Sequence, residues 1–220
     1  MAYEIGTASD YQDLLERLKD FLSDNTRIIG DHPNMDELEA IDDAVGSGES
    51  SQAWTVNRWV DNRDSGETEQ TELIMNGPGL AGTDEIYVGI QCEESVSDDY
   101  YNWKLMGCTG YSSGSTFLNQ PSCTQGRLPR MLLWDQSMPY WFVGNGRRCI
   151  VVAKVSSVYE CMYLGFGLPY GLPSEYPYPM VVGGAACPDA TVIDLRYSST
   201  DNSHRSFASP YGNIEGTITN

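Results

Sequence analysis

The chain has 220 residues, enough for one domain of ordinary size or two small ones, and 40% of them are apolar, which suffices for a real core. Its 31 acidic residues stand against 13 basic ones, a formal net charge of −18. So few cations cannot release the counterions that drive phosphate binding, so nucleic-acid recognition and attachment to an anionic membrane are not expected.

The acid excess is uneven: 24 acids and 6 bases lie between Met1 and Gly110, and 7 of each from Tyr111 onward. Such a half-chain either keeps the surface soluble or offers an acidic face to a basic partner, or one that repels DNA. Met1-Ala2-Tyr3-Glu4 lacks the basic and apolar runs of a signal peptide. The longest uncharged run, between Glu160 and Glu175, is broken by glycine and proline, so synthesis in a cytoplasm and no membrane insertion are expected.

In chain order, the clearest element is a helix over Thr7 to Leu22. Tyr11, Leu14, Leu15, Leu18, Phe21 and Leu22 recur at helical spacing, with Thr7 or Ser9 as its cap. That apolar stripe must lie on the body of the fold or on a neighbouring subunit. Asp31 to Ser51 is acidic and ends in Gly46-Ser47-Gly48, which reads as a partly flexible insertion. Strand patterns follow at 53–60, 71–75, 85–92, 100–107, 131–134, 140–143, 149–155 and 158–166, with the pair around 92 and 100 forming a hairpin. From 167 to 184, Pro169, Pro173, Pro177 and Pro179 forbid a central strand, and Tyr170, Tyr176 and Tyr178 supply contact surface, the pattern of an extended arm.

The fold class is therefore mainly β (α+β): an antiparallel sandwich or open barrel with an N-terminal amphipathic helix and an extended proline-rich arm. Residues 1–51 form a helical and acidic part; residues 52–220 form a β-rich body with the arm at 167–184 and a tail at 197–220.

Few residues invite chemistry. Gly110-Tyr111-Ser112-Ser113-Gly114 matches a nucleophile elbow, with Asp194 and His204 following in hydrolase order. The residues after Gly114 do not open a helix, so the catalytic reading is not adopted. Trp54, Trp59, Trp103, Trp134 and Trp141 suit either sugar stacking or core anchoring. Cys92, Cys108, Cys123, Cys149, Cys161 and Cys187 contain no close pair of metal-ligand spacing. They are buried thiols, or disulfides formed late, within or between chains, outside a reducing cytoplasm. No metal and no cofactor is expected.

Several stretches resemble a family of tailed-bacteriophage virion proteins of poorly assigned role: Thr7 to Leu15, Glu72 to Ile90, Asp99 to Trp103, and Asn145 to Ser156 leading into Leu168 to Gly184. The similarity spans most of residues 7 to 184 and carries no catalytic motif. It implies a structural protein of the virion, assembling as a symmetric oligomer in the tail or head–tail neck, such as a tail terminator, collar or ring, with copies of itself and other virion proteins as partners. The helix stripe and the arm residues Pro169, Tyr170, Pro173, Tyr176, Pro177, Tyr178 and Pro179 are its candidate subunit contacts. The alternatives are a receptor- or glycan-binding module of the baseplate or fibre and, behind it, a tail-associated cell-wall hydrolase.

Overall fold

The structure is a computed structural model that describes residues 2–29, 53–63, 70–78, 86–97, 99–123, 128–166 and 180–185. The elements are β1 (Ala2–Ala8), α1 (Tyr11–Ser23), α2 (Asn25–Ile29), β2 (Thr55–Val60), β3 (Glu72–Gly77), β4 (Ile86–Ser95), β5 (Tyr100–Cys108), a 3-10 turn (Phe117–Asn119), β6 (Arg130–Leu133), β7 (Met138–Asn145), β8 (Arg148–Val155), β9 (Val158–Phe166) and β10 (Met180–Gly183). They build a β sandwich of two antiparallel five-stranded sheets. The first has strand order β1-β7-β8-β9-β10 and the second β2-β3-β4-β5-β6.

Alternation along the strands produces the core. Val151, Ala153 and Cys149 of β8 and Met162 and Leu164 of β9 face Leu73, Met75, Val88, Ile90, Trp103 and Leu105 of the second sheet. At one edge the sheets are tied by Arg130 and Ala185, which exchange backbone hydrogen bonds of 2.8 and 2.7 Å. The helix α1 lies against β1 and β7 of the first sheet and β2 and β5 of the second. Its stripe is fully used there: Leu14, Leu15, Leu18 and Phe21 have no exposed surface. The Phe21 ring lies 5.7 Å from that of Phe142, and the Trp103 indole N–H donates to the Tyr11 carbonyl at 2.8 Å. Of the two covers that the sequence allowed for this helix, the one observed is the body of its own chain.

Three readings are corrected. The helix begins at Tyr11 rather than Thr7, because Ala2–Ala8 is a strand paired antiparallel with β7. Its cap is Asp10, whose carboxylate accepts from the amides of Gln12 and Asp13 at 2.8 and 2.7 Å. The segment expected as an arm over 167–184 contains β10, whose Met180 to Gly183 pair with β9 as an edge strand. The arm's prolines and tyrosines, the acidic segment at 31–51, the tail at 197–220, Cys187, Asp194 and His204 lie outside the described residues. The core draws on residues from Ala2 to Val182, so the segments before and after residue 51 share it.

Candidate subunit-contact face

The first sheet turns its other side away from the core, and register places two apolar rows across it. One row runs Tyr3–Val143–Ile150–Tyr163 through β1, β7, β8 and β9. The other runs Ile5–Trp141–Val152–Cys161 through the same strands. Tyr159 folds onto this surface, its ring 5.9 Å from that of Trp141. Tyr3 is 55%, Ile5 61%, Ile150 39% and Tyr159 62% exposed, where large apolar side chains at sheet positions are ordinarily covered.

The electrostatics are equally distinctive. Among the described strands no outward position on this face carries an acid; its charged residues are Arg148 and Lys154, near the two ends of the central strand β8. Glu4, on β1, turns to the opposite side, where it accepts from the Arg27 guanidinium and, at 2.8 Å, from the Tyr140 hydroxyl. The Cys161 thiol is exposed, and desolvation by its neighbours followed by the charge of Glu160 pushes its pKa up.

The outward side of the second sheet is built differently. One half is a polar ladder. Arg58 pairs with Glu72 at 2.8 Å, Gln91 donates to Glu72 at 2.8 Å, and Glu93 receives Lys104 at 3.1 Å and Arg130 at 2.7 Å. Burial alone would raise the Glu93 carboxyl, but the hydrogen bond and charge of Arg130, with those of Lys104, outweigh it and hold the group below the ordinary carboxylate range. The other half is covered by the segment 109–123. Phe117 packs there against Ile74, Met106 and Cys108, over Gly89, where a side chain's first carbon would lie 3.0 Å from the Phe117 ring.

This covering segment contains Ser112. The buried Gln120 pegs it: its carbonyl accepts from the Ser112 amide at 2.8 Å, and its amide donates to the carbonyls of Ser112, Ser115 and Thr116 at 3.2, 3.3 and 3.1 Å. The Ser112 hydroxyl accepts from that of Ser115 at 3.1 Å. The residues after Gly114 form a turn and a short 3-10 segment, not the helix that a nucleophile elbow opens.

The other candidates disperse. Trp54 and Trp103 are core residues, their indole N–H groups bonded to the Asn145 and Tyr11 carbonyls. Trp59 stacks under the Lys19 ammonium at 4.5 Å, Trp134 packs against the core, and Trp141 lies on the outer face of the first sheet, so the five do not line one groove. At the N-terminal end of α1, the Tyr11 hydroxyl donates to Glu94 and accepts from Gln12 at 2.7 Å. Burial and then Glu94 push the Tyr11 phenol well up; burial and then Asp10 and Glu94 raise the Asp135 carboxyl.

Cys92, Cys108, Cys123, Cys149 and Cys161 are free thiols. Cys108 is pushed up to about 12, chiefly by burial, and the Cys123 sulfur lies 3.3 Å from that of Met106. Among the described residues no three His, Cys, Asp or Glu side chains are gathered to hold a metal ion, and no helix is long and apolar enough to cross a membrane.

Sequence reasoning missed Tyr3 and Ile5 as surface residues. The signal was present: Tyr3, Ile5 and Thr7 alternate with Ala2, Glu4, Gly6 and Ala8, but in this strand the large apolar side chains face outward. Three of the four inner positions are small, Glu4 being the exception, because α1 and Tyr140 crowd them; a carbon added at Gly6 would run into the Tyr140 ring. No protein-family model and no curated protein matches this chain.

Proposed function

We propose that this chain is a non-enzymatic structural subunit that assembles with copies of itself through the outer face of its first sheet. The observation that carries the reading is that face: broad, apolar, aromatic and, among the described residues, free of acids, on a chain of net charge −18. A solvated sheet face is ordinarily polar, because exposed apolar surface favours association, and a face of this kind marks a protein contact. The remaining polar groups support the reading: the ladder on the second sheet is internally paired, and Ser112 belongs to a loop held by Gln120. With the sequence resemblance, the proposed setting is a tailed-phage particle, in the tail or the head–tail neck.

Two measurements test it. Sedimentation of the purified chain over a range of concentrations should show reversible association that Ile150→Glu weakens at least tenfold; a monomer at every concentration would overturn the assembly reading. Mass spectrometry of purified tailed particles made by the source of this gene should find the chain in stoichiometric amount. Its absence would overturn the particle setting and leave the self-association to stand on its own.

A further inference from the structure

We infer that the outer face of the first sheet pairs with the same face of a second copy, across a two-fold axis near Ile150; this rests on the reading of that face as a contact between copies. Among the described residues six large hydrophobic side chains are exposed, and four of them, Tyr3, Ile5, Ile150 and Tyr159, lie on this one face. The other two, Val56 and Val96, stand apart on β2 and in the turn after β4. The apolar surface that the described residues offer as a partner for this face is therefore the face itself.

A contact between two identical patches is closed by a two-fold axis, so residues beside the axis meet their own counterparts. Charge favours such a contact. Two copies of net charge −18 repel wherever acids are brought together, and among the described residues this face brings none. Its cations, Arg148 and Lys154, are separated by about 20 Å along β8, with Ile150 and Val152 between them. Ile150 is on the central strand and belongs to the row that reaches from Tyr3 to Tyr163. The arrangement is an apolar centre with charges at its rim, the usual anatomy of a specific interface.

Size sets the strength. Five strands about 4.8 Å apart and about 20 Å of strand length give roughly 480 Å² per copy, or about 1,000 Å² for the pair. That is the small end of specific interfaces, which suits a reversible dimer used as a building block. Salt screens the mutual repulsion of the acidic chains and leaves the apolar contact intact, so association tightens as sodium chloride is raised from about 0.02 to 0.5 M.

The test uses the full-length chain carrying Ile150→Glu or Ile150→Lys, alone and mixed one to one, with mass read by sedimentation equilibrium. The wild type should move from 24.4 kDa towards twice that mass. Each variant alone should stay monomeric at the same concentration, and the mixture should recover a dimer containing one of each, because opposite charges meet beside the axis. No recovery on mixing overturns the two-fold pairing while leaving the proposed function intact, since in a head-to-tail contact each altered face still meets an unaltered surface. Variants that associate like the wild type overturn both. A check independent of variant folding is alkylation of Cys161 in the wild type, which should slow in step with the dimer fraction; a rate independent of concentration overturns the pairing.

Discussion

Leu18→Ala distinguishes a helix that stabilises its own chain from a helix that joins subunits. Leu18 is in the middle of α1, with no exposed surface, between β1 and β7 on one side and β2 and β5 on the other. Truncation removes the γ and both δ carbons and leaves a void. Hydrogen-bonded sheets on both sides cannot easily close on that void, so the cost belongs in the middle to upper part of the range for buried leucines, about 4 kcal/mol. In a domain of this size each kcal/mol moves the melting temperature by about 2–4 °C, so a fall of about 8–16 °C is expected. The assay is thermal melting followed by circular dichroism, with sedimentation of the same samples at 20 °C. The variant should melt early, yet its folded fraction should associate as strongly as the wild type. A melting temperature within about 2 °C of the wild type, accompanied by lost association, would refute the reasoning and return the helix stripe to a neighbouring subunit.

Three further outcomes follow from the same geometry. Glu93→Gln removes the group that neutralises Lys104 and Arg130, whose side chains are each only 15% exposed, and should cost about 2–3 kcal/mol at pH 7. The folded-state pKa of Glu93 is depressed, so its contribution is full above the ordinary carboxylate range and is lost as pH falls through the folded value. Urea midpoints should therefore fall more steeply below about pH 5 in the wild type than in the variant, and parallel curves would contradict the assignment. Gln120→Ala leaves the Ser112 amide without its partner and removes one of two donors from each of the Ser112, Ser115 and Thr116 carbonyls, which should cost about 1–3 kcal/mol and speed alkylation of Cys123, whereas Ser112→Ala should change the melt by less than about 1 kcal/mol. Equal effects of the two would show that the peg is not Gln120. Ser156, in the two-residue turn between β8 and β9, has φ 55°, a conformation that glycine adopts without strain. Ser156→Gly should raise the melting temperature by about 1–2 °C once the entropy lost by glycine is offset against roughly 1 kcal/mol of relief; a fall would mean that the serine side chain stabilises the turn.

The sequence by itself determined the elements whose patterns are local. Alternation and glycine turns marked β2 to β9 to within a few residues, including the β4–β5 hairpin, and the spacing of leucines marked α1. Those patterns record which side of an element meets apolar surroundings, so they are legible wherever one side is buried and the other wet. β1 escaped because its large apolar side chains face solvent, while its inner side carries Ala2, Glu4, Gly6 and Ala8, the reverse of the usual alternation. β10 escaped because its four residues follow a proline-rich run and are held by pairing with β9, a partner that no local signal names. Only the tertiary structure decided what covers each apolar surface. It spent the α1 stripe inside the chain, closed the outer side of the second sheet with Phe117 and an ion-paired ladder, and left Tyr3, Ile5, Ile150 and Tyr159 gathered on one open face. Two of those four residues come from β1 and two from the β8–β9 hairpin, far away in sequence, and they become one surface only through the pairing of both with β7.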